Sequence, residues 1–263
     1  MALQECQSNQ LRNFLPSNPA KLSPTVSIKT LNATVNTARR QSVILRKHMT
    51  QAIWNKFCQR FEVNETCVPL FATDGGAVKV RTIGRDDRPI LMRSEECDAK
   101  ILAETDLLVA DWKAGSLKYD GMIYMMGWME DTFIPLYIGK TETLGKSDGN
   151  LSVNIKNLHT DRSKFARWGD GYQYHIGDLS ACVLGHENKQ TLKYASWAKC
   201  LFESGTQLKR PVYFWAKAWD ASQTGVWEEY GPTSLAFLEY LLIGVAGKIY
   251  PDLLNREGLA RQS

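Results

Sequence analysis

The chain has 263 residues, of which 44% are hydrophobic and 23% charged, with a formal net charge of +4. That length allows one large or two modest domains with a buried core, and the balance is that of an ordinary globular protein rather than a disordered one. No apolar run nears the roughly eighteen residues of a membrane-spanning helix, and 1–17 lacks the basic-then-apolar layout of a signal peptide, so a cytoplasmic location without a membrane partner is expected.

Six cysteines (Cys6, Cys58, Cys67, Cys97, Cys182, Cys200) are scattered without a C-x-x-C pair or histidines at zinc spacing. Neither a zinc finger nor a disulfide framework is supported, and reduced structural thiols are expected. Basic residues crowd two stretches: Arg39, Arg40, Arg46, Lys47 and His48, then Lys156, Arg162, Lys164 and Arg167. Either stretch suits a solvated helix face or a polyanionic partner.

In chain order, 1–27 carries Pro16, Pro19 and Pro24 too closely spaced for a helix and is expected to be a loose arm. From about Thr30 to Phe61, Ile44, Ile53, Trp54 and Phe57 recur as on one or two amphipathic helices. Gly75-Gly76 and Asp86-Asp87-Arg88-Pro89 bracket the runs Val78 to Ile83 and Ile90 to Met92, which predicts a hairpin. Ser94, followed by Glu95 and Glu96, caps a helix reaching about Asp111, and Gly115 ends it.

A second hairpin follows, with strands over about Gly121 to Trp128 and Pro135 to Lys140 and a turn at Glu130-Asp131. Leu151, Ile155, Leu158 and Phe165 then recur at helical spacing, and Tyr172 to Leu179 has the character of a short strand. Lys189 to Phe202 predicts an amphipathic helix carrying Leu192, Trp197 and Leu201. Pro211 to Trp219 is the strongest strand signal, being rich in aromatic and β-branched residues. Pro232 to Lys248 predicts an apolar helix with Pro232 in its first turn.

The strings Gly121-Met122-Ile123-Tyr124 and Tyr137-Ile138-Gly139-Lys140 place two tyrosines on this second hairpin. With the later order of elements from Tyr119 to Asn255, they resemble the GIY-YIG endonucleases. The resemblance implies an α+β fold with a small three-stranded antiparallel sheet flanked by helices over 116–263. Before it, 1–115 would form a mostly helical accessory region that contains the first hairpin and contacts DNA or governs dimerisation. It further implies a metal-dependent endonuclease acting on DNA, with Mg2+ or Mn2+ as cofactor.

Carried over residue by residue, the resemblance assigns Tyr124 to activation of the attacking water and Tyr137 to a hydrogen bond with that water or a phosphate oxygen. Lys140 follows the second motif. Arg167 or Arg162 would clamp the scissile phosphate, paired with His175 or His159. Glu239 would hold the metal and Asn255 would brace the site.

The chemistry of these residue types is consistent with that scheme. A divalent cation neutralises the charge that develops on an already anionic phosphate, and one carboxylate suffices for a cation that keeps its waters. Glu239 is the only acid in the apolar run Leu235 to Ala246, and a lone buried carboxylate is costly without a partner. A phenol titrates near pH 10, so Tyr124 as a base needs nearby positive charge. Sequence-specific double-strand cutting would further require a homodimer. The alternative to a restriction- or repair-type nuclease is a nucleic-acid-binding protein that keeps the fold without catalysis.

Overall fold

The structure, a computed structural model, describes residues 45, 47–145 and 149–255. The arm expected over 1–27 and the basic residues Arg39, Arg40 and Arg46 lie outside them. Residues from Leu45 onward belong to one compact unit.

Helix α1 (47–60) and the single turn α2 (Val63–Thr66) lead into short strands β1 (Val68–Pro69), β2 (Thr73–Asp74) and β3 (Ala77–Val78). The expected first hairpin forms from β4 (Val80–Ile83) and β5 (Arg88–Leu91), paired antiparallel around the Asp86-Asp87 turn. Helix α3 (Glu95–Ala114) begins where its cap predicts: Ser94 Oγ accepts the Cys97 N–H at 2.9 Å. Gly115 stops it in the left-handed region that glycine occupies freely.

The long central hairpin consists of β6 (Tyr119–Met129) and β7 (Phe133–Glu142). Then come α4 (His175–Val183), α5 (Leu192–Leu201), the small strands β8 (Phe202–Ser204) and β9 (Gln207–Leu208), strand β10 (Tyr213–Asp220) and helix α6 (Leu235–Ile249).

The small three-stranded sheet expected from the resemblance is not what forms. The central sheet has four strands in the order β1-β10-β6-β7, a second four-stranded sheet runs β2-β3-β9-β8, and β4-β5 make a two-stranded third. The difference comes from pairings distant in the chain, Val68 with Phe214 and Ala77 with Gln207. Two-residue strands carry no period of their own to announce them.

Alternation along the central strands divides the core in two. Ile123, Met125, Ile138, Trp215 and Trp219 face Trp54 and Phe57 of α1 and Leu238, Leu242 and Ala246 of α6. Met122, Tyr124, Met126, Phe214 and Ala216 face Ile101 and Leu108 of α3, Ile176 and Leu179 of α4, and Trp197 of α5. Both faces are covered, which is why β6 reads as an unbroken apolar run instead of an alternating one.

Three local expectations fail for identifiable reasons. Leu151, Ile155, Leu158 and Phe165 are buried as their spacing suggests, but 151–164 folds as consecutive turns. Short polar side chains compete for its main chain: Ser152 Oγ accepts from Asn154 N–H, and Asp161 Oδ1 from Ser163 N–H. The run expected as a strand from Tyr172 is instead the start of α4, a length at which apolar runs of either type look alike. Helix α6 also starts later than expected. Ser234 caps it, accepting from Phe237 N–H, and Pro232 lies outside.

Candidate functional site

Tyr124 and Tyr137 lie on the same face of the central sheet, with ring centroids 6.4 Å apart. Gly139 makes this possible. It stands opposite Tyr124 in the β6–β7 register, and a Cβ there would meet the Tyr124 ring at 2.7 Å. The phenol of Tyr124 thus lies flat across β7 over a residue with no side chain.

The two tyrosines have different surroundings. Tyr124 is 2% exposed. Its hydroxyl meets His175 Nε2 at 3.0 Å, and His175 Nδ1 meets the Tyr194 hydroxyl at 2.8 Å. A neutral imidazole carries one N–H, so His175 donates to one phenol and accepts from the other. Trp168 and Trp197 enclose this row, their rings 4.7 and 5.2 Å from the imidazole.

Tyr137 borders an open cleft of about 380 Å³ along the edge strand β7, with Lys193, Glu239, Tyr240, Ile243, Leu254 and Asn255. Lys193 Nζ donates to its hydroxyl at 3.2 Å.

Asn255 braces this edge. Its Oδ1 accepts the Ile138 N–H at 3.0 Å and its Nδ2 donates to the Ile138 carbonyl at 2.8 Å, while Leu254 N–H donates to the Leu136 carbonyl at 2.7 Å. The side-chain amide stands in for a neighbouring strand, satisfying groups an edge leaves unpaired.

Arg167 is presented by an unusual backbone. Phe165, Ala166 and Arg167 all have positive φ (31°, 51° and 77°), a region costly for non-glycine residues that persists where surroundings impose it. The guanidinium lies 5.3 Å from the Tyr174 ring centroid. Its charge acts on Tyr124, His175 and Tyr194. It makes no hydrogen bond or ion pair to another side chain among the described residues.

The expected electrostatics are only half met. Arg167 does draw the Tyr124 phenol down, but burial outweighs it and the pKa rises well above 10, so the hydroxyl stays protonated. His175 is pushed well below 6.5 by burial first, then by Lys193 and Arg167, and is neutral.

Of the other expected site residues, Glu239 reaches the cleft from α6. Lys140 does not. It stands opposite Ile123, on the other face of the sheet, and pairs with Glu142. Arg162 is tied to Asp98 of α3 and lies over Phe165, and exposed His159 pairs with Asp106. Lys193, Tyr194 and Tyr240 are additions. Lys193 and Tyr194 share a helix face with Trp197 at i+4 and i+3, a spacing already visible in the chain.

Among the described residues, no group of three or more His, Cys, Asp or Glu side chains is placed to hold a metal ion. Glu239 shares its cleft with a lysine, two phenols, an amide and aliphatic side chains, where a hard cation needs several oxygen ligands. This corrects the expectation of a divalent-metal-dependent endonuclease, of Mg2+ or Mn2+ as cofactor, and of Glu239 as its ligand. The five described cysteines are free, and no described helix is long and apolar enough to cross a membrane.

Compared with models of known protein families, with the curated proteins and with the solved structures, the chain matches none.

Proposed function

We propose that this protein binds DNA along the open edge of β7, holding the phosphodiester backbone as a nucleic-acid-binding protein without metal-dependent cleavage. The observation that carries this reading is Arg167. A half-buried guanidinium, held by a left-handed turn and lacking an anionic partner among the described residues, sits beside a row of neutral phenol and imidazole groups. A planar fork of that kind suits a phosphate oxygen pair. Lys193 and the Tyr137 hydroxyl add two donors at the cleft, and donors to phosphate position a nucleic acid without reading its sequence.

A relationship to the GIY-YIG endonucleases belongs to this proposal. It is supported by the same-face tyrosines, by Gly139 under Tyr124 and by Asn255 at the edge strand. No step through a metal is part of it.

Fluorescence anisotropy of a labelled oligonucleotide, in chelator and at graded salt, tests the proposal. Wild-type protein is expected to bind and to leave the oligonucleotide intact. Arg167→Ala should weaken binding about tenfold and make the salt dependence shallower, since a lost phosphate contact reduces counterion release. Absence of wild-type binding at low ionic strength, or an unchanged affinity in both Arg167→Ala and Lys193→Ala, overturns it.

A further inference from the structure

We propose a second phosphate-binding station, resting on the DNA binding proposed above. It lies between the β4–β5 hairpin and the segment entering α4, where Arg88 and Lys189 converge on the ring of Tyr172 and grip the backbone of the same DNA.

The pocket has a volume of about 460 Å³ and is lined by Ile83, Gly84, Asp86, Arg88, Pro89 and Tyr172. Arg88 Cζ lies 4.4 Å and Lys189 Nζ 5.1 Å from the Tyr172 ring centroid. One phenol therefore carries two cations, and neither forms an ion pair with a carboxylate among the described residues. Arg88 Nη2 donates to the main-chain carbonyl of Asp170 at 2.7 Å. The Asp170 carboxylate is already taken by Arg81 and Arg93. Arg88 Nη1 is buried without a hydrogen-bond partner.

Two like charges on one ring repel unless an anion joins them. Asp86 is the sole acid of the lining. The local field is positive enough to register on a neighbour: His186, whose Nδ1 is 3.5 Å from the Tyr172 hydroxyl, is held below its ordinary pKa by burial first and by Arg88 next. Cations held on an aromatic ring suit the phosphates of a nucleic-acid backbone.

Position supports a shared ligand. Tyr172 precedes His175 by three residues, no more than about 11 Å of chain. His175 in turn packs on Tyr137 at 5.3 Å between centroids. The roughly 11 Å of chain and the 5.3 Å between the rings together make about 16 Å, on the order of five nucleotides of one strand at about 3.4 Å each.

The test is anisotropy of a labelled duplex and of the same single strand at graded salt, with wild type, Lys189→Ala, Lys189→Arg and the double variant Arg88→Ala/Lys189→Ala. The double variant should bind about tenfold more weakly, and the log–log salt slope should become shallower by about 1. Lys189→Arg should bind as wild type does. If Arg88→Ala perturbs folding, as a changed melting temperature would reveal, the exposed Lys189→Ala decides, with an expected loss of about threefold.

Unchanged affinity and slope in the alanine variants, alongside a real loss in Arg167→Ala, overturns the second station and leaves the β7 cleft standing. No binding by wild type removes both.

Discussion

The two faces of the central sheet are built from alternate residues of the same strands, yet they differ in kind. Toward α1 and α6 lie Ile123, Met125, Trp215 and Trp219, packed by ring and aliphatic contacts, with one buried hydrogen bond from Trp219 Nε1 to the Thr233 carbonyl. Toward α3, α4 and α5 the equally buried layer contains Tyr124, His175 and Tyr194, three polar groups that satisfy one another. A buried hydrogen-bonded row rigidifies a core while it is satisfied and is costly if any member is lost.

That contrast is open to direct attack, starting with the apolar side. Trp215→Ala, at a site 1% exposed, should lower unfolding free energy by about 3–5 kcal/mol. Urea unfolding measures it, and a small loss would mean that the α1–α6 face is not the stabilising one. On the opposite face, Tyr124→Phe keeps the ring but leaves His175 Nε2 without its partner, and should cost about 1–3 kcal/mol. A neutral or stabilising outcome would show that the polar row is dispensable packing.

The two faces should also separate by pH. His175 is neutral in the fold because its pKa is held well below 6.5, whereas in the unfolded chain it protonates near 6.5. As pH falls the unfolded state takes up the extra proton first. Stability from this group is therefore complete above about pH 6.5 and declines below it, by up to about 1.4 kcal/mol per pH unit. His186 is lowered in the same sense, so the informative quantity is the difference between wild type and His175→Phe. Identical pH profiles would refute a buried neutral imidazole.

The smallest effect belongs to Lys140. Its pair with Glu142 is partly exposed, so Lys140→Ala should change stability by no more than about 0.5 kcal/mol. DNA affinity should hold as well, because Lys140 is not among the residues lining the cleft. A marked loss of binding would extend the DNA beyond the cleft.

Much of the local structure was visible in residue order. The Ser94 cap, the Gly115 stop, the β4–β5 turn and the β6–β7 hairpin all rest on neighbours in the chain, and those signals act over a few residues. The stretch 151–164 misled because burial and helix share the same spacing: Leu151, Ile155 and Leu158 are core residues, but Ser and Asp side chains turned the main chain away from a helix. Of the residues grouped by resemblance, Tyr137, Glu239 and Asn255 do border one cleft, whereas Tyr124 is sealed. The choice between Arg162 and Arg167 was not legible in residue order, since it depends on which of the two Asp98 captures.

Residue order alone thus determined where the hairpin with its two tyrosines forms and that Gly139 follows the second of them, because turn chemistry and strand pairing between adjacent segments are local. Only the tertiary structure decided that the sheet gains a fourth strand from Val68–Pro69 and that Tyr124 is sealed while Tyr137 lines a cleft. It also decided that Glu239 shares its cleft with Lys193 and two phenols. Those outcomes depend on desolvation and on charges brought together from distant segments, and both are set by packing in three dimensions.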